Sequence, residues 1–248
     1  MPKNGCTNLK YAIVKADFEG DRELESREVE QLMTPANLDE LATTTYRFIV
    51  LRCPWARIAS LFQNKFVADR NNRYFKGLIY NQDVNTSGRV VAKIRRRLRN
   101  QIFKSGGLTE DFTFRQFCAL LSVPNAFGLD HHWRPQADFD LSRLGFEYND
   151  VFGLHDLTRA CETLEAKTGI TVQDMRETSR HTTFGYKKLK EGCFADTPLS
   201  ELAKLRKAGS VVDHKAMYDD ALIGDVAELY SQDFVLYKKH LGSDGLSF

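Results

Sequence analysis

The sequence predicts an α/β fold: a mainly parallel sheet flanked by helices, in one domain over residues 1–248. Three observations carry that expectation. Residues 46–51 are aromatic and β-branched with few charges, as in a strand covered on both faces. Pro54 follows at once, where the first turn of a helix tolerates a missing amide, and a helical pattern runs over 55–72. A second alternating run, 146–152, leads into an amphipathic stretch over 157–168 that stops at Gly169, a suitable C-cap.

The remaining elements follow in order. The loop Pro2-Lys3-Asn4-Gly5-Cys6-Thr7-Asn8 opens a helix over 8–16. Residues 17–30 are highly charged and read as surface. A short helix is expected over 37–42, with Thr34 or Asn37 as cap. Residues 89–103 read as a very basic helix. Residues 113–121 read as another, with Phe114, Phe117, Leu120 and Leu121 as its apolar stripe. Residues 171–196 lack periodicity and read as a long loop, a place where function often sits. Helices are expected over 199–208 and 215–241, the second broken at Gly224. There is no internal repeat or low-complexity linker.

Bulk properties exclude several classes. A net charge of +2 argues against a genome-binding protein but leaves room for a local basic cleft. No run approaches the roughly 18 apolar residues of a membrane span, and no secretory signal opens the chain, so a cytoplasmic location is expected. The five cysteines are scattered and form no CxxC pair, so neither a zinc site nor a disulfide framework is expected.

Three segments carry chemistry. In the first loop Gly5 allows a tight turn, and the free amides of the following helix start point at an anion. Lys3 adds a charge and Thr7 a hydroxyl; an N-terminal tail with one lysine is the alternative. At the end of the first strand, Arg52 reaches the carboxyl edge of the sheet, where open α/β sheets bind ligands. Its guanidinium fork suits phosphate, and Ser60, two turns into the next helix, adds a donor. A carboxylate-paired arginine and a small residue at a helix crossing would explain the same letters. The third segment, Asp130-His131-His132-Trp133-Arg134-Pro135-Gln136, crowds two histidines, an acid and an arginine. A histidine there can take a proton from a hydroxyl; a solvated polar loop is the alternative. The basic cluster with Arg96, Arg97 and Arg99 can steer an anionic ligand or simply be a solvated face. It lacks the interleaved aromatics that stack bases, so no nucleic-acid partner is expected.

With these segments in view, the chain resembles the carbohydrate sulfotransferases typified by the chondroitin/dermatan and natural-killer-epitope enzymes, as a bacterial-type soluble member. The opening loop resembles their 5′-phosphosulfate loop, PKxGCTN, and residues 51–60 their 3′-phosphate motif, RDPFERLVS, continued by Asn64-Lys65-Phe66. His132-Trp133-Arg134-Pro135-Gln136 resembles their HWxPQ block. Asp150-Val151-Phe152-Gly153 resembles a DFVG-like strand end, and Leu229-Tyr230 with Asp233-Phe234 and Tyr237 an LYxxDFxxF signature. The matches fall in order along nearly the whole chain.

The resemblance implies a P-loop-like, sulfotransferase-like sheet and sulfonate transfer from 3′-phosphoadenosine 5′-phosphosulfate to a carbohydrate hydroxyl. The product would be adenosine 3′,5′-bisphosphate, with no metal required. It implies that Lys3 neutralises the breaking donor bond and that Lys3, Asn4, Gly5, Cys6, Thr7 and Asn8 hold the 5′-phosphate. Arg52 and Ser60 would hold the 3′-phosphate. His132, with His131 second, would accept the acceptor's proton. Arg96, Arg97, Arg99, Trp133 and Arg134 would meet the acceptor, including an anionic glycan.

The sequence departs from the family pattern in four places. The family carries a strand before the phosphosulfate loop, whereas here Met1 precedes it, so the sheet is expected to lack its first strand. RDP reads Arg52-Cys53-Pro54, which removes an aspartate that would orient Arg52. Asp140 stands where a disulfide cysteine often follows the HWxPQ block. The Golgi anchor of animal members is not expected, since no apolar run of spanning length occurs. The missing strand and Cys53 leave a non-catalytic nucleotide- or glycan-binding relative as the alternative, while the other two departures fit a bacterial-type soluble enzyme or a secreted-domain fragment. A P-loop phosphotransferase is disfavoured, since GxxxxGK[ST] does not occur. The sequence indicates no oligomeric state.

Overall fold

An unbroken apolar run makes the first described strand. β1, Phe48–Leu51, pairs in parallel with β2, Asp150–Gly153, in a register that sets Phe48 against Asp150 and Leu51 against Gly153. The computed structural model describes residues 6–17, 28–29, 32, 37–68, 110–122, 131–172, 183, 185–243 and 245–246. Its helices are α1 (Cys6–Asp17), α2 (Leu38–Thr43), α3 (Pro54–Phe62), α4 (Phe114–Leu121), α5 (Leu157–Thr168), α6 (Leu199–Lys207), α7 (Asp220–Leu229) and α8 (Ser231–Leu241). The helix expected over 89–103, most of the charged stretch 17–30 and the question of a strand ahead of α1 lie outside the described residues.

Side chains alternate across β1, and both faces are buried. Ile49 and Leu51 pack with Ala137 and with Leu236 and Tyr237 of α8. Val50 and Phe152 pack on the other side with Ala160 of α5, joined by Leu9 of α1. This two-sided burial explains why β1 reads as continuously hydrophobic. The α/β class with parallel strands holds.

The larger core is aromatic and lies beside this sheet. Phe62 of α3 has the rings of Phe66, Phe112, Phe114 and Phe117 at centroid distances of 5.3 to 6.0 Å. Each such pair adds about 0.5–1.5 kcal/mol beyond its buried area. α4 and α6 close this core, along with Trp133, Met217, Tyr218, Tyr230 and Phe234.

Local chemistry sets most helix ends. Asn37 and Thr113 each form a capping box, with Glu40 and Gln116 returning the bond. Gly169 ends α5 at φ 71°, a left-handed conformation that favours glycine. Other boundaries differ from the sequence expectation. The helix expected over 55–72 is α3 only to Phe62, then widens into a π-helical turn, Gln63–Ala68. There the buried Gln63 amide donates to the Val212 carbonyl at 2.8 Å, a tertiary bond that periodicity does not encode. The loop expected over 171–196 contains β3, Lys187–Leu189, parallel to β4, Ser210–Val212. β3 went unseen because its two lysines are exposed and no alternation marks it. The break expected at Gly224 falls at Tyr230, between α7 and α8. Tyr230 is buried and its hydroxyl donates to the Trp133 carbonyl at 2.7 Å, so a side-chain anchor sets the break.

Candidate functional site around the carboxyl edge of the sheet

β1 delivers Arg52 to the edge of the sheet. The Arg52 amide donates to Gln136 Oε1 at 2.9 Å, and Gln136 Nε2 donates to the Arg52 carbonyl at 2.8 Å. The buried Gln136 side chain thus acts as one more rung on β1. Arg52 itself is half-buried. Burial, with Arg57 as a like charge nearby, pulls its guanidinium down to about 10. A partly desolvated cation at a sheet edge favours an anionic partner. Pro54 starts α3 directly after, and Ser60 is half-buried on a helix whose other residues beyond Trp55 are buried.

Arg57 fastens the histidine loop to α3. Its fully buried guanidinium Nη2 donates to the carbonyls of His132 at 3.0 Å and Arg134 at 2.6 Å. Asp233 of α8 lies 3.9 Å from Arg57 Nη1 and accepts from the Ala137 amide at 2.9 Å. Burial pushes the Asp233 carboxyl up, and Arg57 opposes that. Three segments far apart in sequence are thereby knitted into one polar core under the site.

The loop presents its histidines outward. The rings of His131 and His132 lie 4.3 Å apart; His131 is exposed and His132 half-buried. Trp133 is 1% exposed, so its ring anchors the loop in the core and offers no surface to an acceptor. Arg134 is half-exposed and engaged within its own loop, 3.6 Å from Asp138 and 5.3 Å over the Phe139 ring.

The start of α1 stands over the same strand pair. The helix begins at Cys6, so the Cys6, Thr7 and Asn8 amides belong to its first turn, where no intrahelical acceptor exists. Asn8 is buried, and Leu9 packs against Val50 and Phe152. Lys3, Asn4, Gly5, Arg96, Arg97 and Arg99 lie outside the described residues.

The sequence pattern of the sulfotransferase family matches this chain over residues 1–240. The chain belongs to the sulfotransferase family. Searches of curated proteins and of solved structures returned no match. Among the described residues of this sulfotransferase, no helix is long and apolar enough to cross a membrane. Nor does any group of His, Cys, Asp or Glu among them have the grouping a metal ion needs.

Three residues near the candidate site had no role assigned from sequence. Gln136 lay inside a recognised block, but only the fold shows it gripping Arg52. His155 lies two residues past the end of β2, is exposed, and has Nδ1 3.4 Å from the Tyr237 hydroxyl. Its ring lies where a Cβ on Gly153 or on Gly245 would stand. Its position just past Asp150–Gly153 was the available signal. His214 follows β4, a strand the sequence did not reveal.

Proposed function

We propose that this sulfotransferase moves a sulfonate group from 3′-phosphoadenosine 5′-phosphosulfate to a carbohydrate hydroxyl. The observation that carries the reading is Arg52, clamped through its backbone at the carboxyl edge of a parallel sheet, with Ser60 part-open on the next helix. That pair suits a phosphate distinct from the one a helix start would hold.

Bound, the donor supplies an activated sulfonate whose bond to the 5′-phosphate breaks as the acceptor oxygen takes the sulfur. The amides of Gly5 to Asn8 and the Thr7 hydroxyl hold the 5′-phosphate, and Lys3 offsets the charge that grows there. Arg52 and Ser60 hold the 3′-phosphate. His132 takes the acceptor's proton, with His131 beside it. Arg134 and the Arg96, Arg97 and Arg99 cluster attract an anionic glycan. Catalysis on this scheme is positioning and charge stabilisation, as in phosphoryl transfer.

Calorimetric titration with adenosine 3′,5′-bisphosphate, against AMP, tests the donor site. Micromolar binding selective for the bisphosphate supports it, and an acceptor screen then reads transfer. Absence of binding by folded protein sinks the donor reading and favours a non-catalytic relative. Neutralising Arg96, Arg97 and Arg99 should raise the apparent KM for an anionic acceptor. An unchanged KM makes that cluster a solvated face.

A further inference from the structure

We propose that His214 is a third contact to the donor's 3′-phosphate, beside Arg52 and Ser60. This rests on the donor reading above and adds a residue that no family motif supplies.

The segment carrying His214 is laced along α3. At one end Gln63 Nε2 donates to the Val212 carbonyl at 2.8 Å. At the other the Tyr218 hydroxyl donates to the Trp55 carbonyl at 2.8 Å. From Trp55 to Gln63 a helix rises about 12 Å, so residues 212–218 run antiparallel beside the whole of α3. Ser60 lies three residues before Gln63 and so shares the face turned to this segment. The 3-10 turn Lys215–Met217 packs on α3 and joins His214 to Tyr218. His214 therefore lies between these two anchors, beside the stretch of α3 that carries Ser60, and Arg52 emerges just ahead of that helix. The Asp213 amide donates to the Leu189 carbonyl at 2.8 Å, so the end of β3 closes the other side.

The charges around His214 suit an anion. Arg52 and Lys188 both act on it as positive charges and Asp213 as a negative one. Asp213 is engaged locally, its Oδ1 accepting from the Lys215 amide at 3.1 Å. Burial and the two cations hold the imidazole neutral, down to about 3, so it enters a neutral-pH site with one N–H to donate. A dianionic phosphate set between Arg52 and Ser60 meets that donor. The imidazole then adds a third direction of contact that AMP, lacking a 3′-phosphate, cannot use.

The experiment is calorimetric binding of adenosine 3′,5′-bisphosphate and AMP to the wild type, His214→Ala, His214→Gln and Arg52→Ala. We expect His214→Ala to weaken the bisphosphate about tenfold or more, the range for a hydrogen bond to a charged group, with AMP binding little changed. His214→Gln keeps an N–H donor and should recover part of the preference. In the unsubstituted protein the His214 ring resonances should shift with the bisphosphate and stay put with AMP, a readout independent of any variant's folding. Equal losses for both ligands in His214→Ala, or no ring shift, overturn the His214 role while an Arg52→Ala loss of preference leaves the donor reading standing. If Arg52→Ala also keeps the preference, the donor reading falls and the His214 role with it.

Discussion

The side-chain amide of Gln136 satisfies both backbone hydrogen-bonding groups of Arg52, at 2.9 and 2.8 Å. A primary amide carries the same donor and acceptor as a peptide unit, so it can replace a neighbouring strand for one residue. Arg52 therefore takes its position from main-chain pairing. Cys53, where the family pattern has aspartate, is buried at the start of α3 and makes no side-chain capping bond. The Arg52 backbone is held from the loop that carries Gln136. Gln136 also reaches toward Asp233, 3.5 Å away, which ties this clamp to α8.

Gln136→Ala leaves the Arg52 amide and carbonyl without their partner, at a cost of about 1–3 kcal/mol for groups out of water. We expect a lower urea midpoint together with weaker adenosine 3′,5′-bisphosphate binding. Gln136→Glu offers no N–H to the Arg52 carbonyl and should fall between alanine and wild type. A variant that loses stability yet binds the bisphosphate normally would show that the clamp does not position Arg52.

Arg57 and Asp233 form the buried pair beneath the loop. Arg57→Met orphans the His132 and Arg134 carbonyls and leaves Asp233 buried without its cation, a loss of about 3–5 kcal/mol. Adding Asp233→Asn removes the stranded charge, so the double variant should be less destabilised than the two single losses summed. Urea unfolding of all four proteins measures this. Strict additivity would mean that the pair does not interact.

The strand–helix units were legible because their signals are local. An apolar run, Pro54 at a helix start and Gly169 past a helix end each act within one turn. Elements set by distant partners were not legible. β3 exposes Lys187 and Lys188 and exists through pairing with β4. The break at Tyr230 depends on a carbonyl 97 residues away, that of Trp133. Arg52, Ser60 and the histidine loop were read from motifs. The fold adds what holds them: Gln136, Arg57 and Asp233. Trp133 illustrates the opposite case, since a motif residue beside a histidine reads as a contact until its burial assigns it to the core.

His214 makes stability depend on pH in a definite direction. Its folded value of about 3 lies below the ordinary 6.5, because burial and then Arg52 disfavour the charged ring. The unfolded chain binds the proton first, so the contribution is complete above pH 6.5 and is lost as pH falls toward 3. His240, also lowered by burial, acts in the same sense. Between pH 7 and 5 the wild type should therefore lose more of its urea midpoint than His214→Gln does. Parallel losses would show that His214 takes up its proton equally in both states.

His132 offers the sharpest test of the proposed chemistry, because the fold uses its backbone carbonyl while the proposal uses its ring. Arg57 holds its carbonyl at 3.0 Å, and Trp133 next to it is sunk in the core, so the loop keeps its shape without the imidazole. His132→Ala should lower kcat by about 10²- to 10⁴-fold, the span for a lost general base, with bisphosphate affinity preserved. His131→Ala should cost much less, since its ring is the exposed member of the pair. His155→Ala serves as the comparison, because His155 stands at the same sheet edge with Tyr237 on its Nδ1. A large kcat loss in His155→Ala with full activity in His132→Ala would move the proton acceptor from the loop to the end of β2.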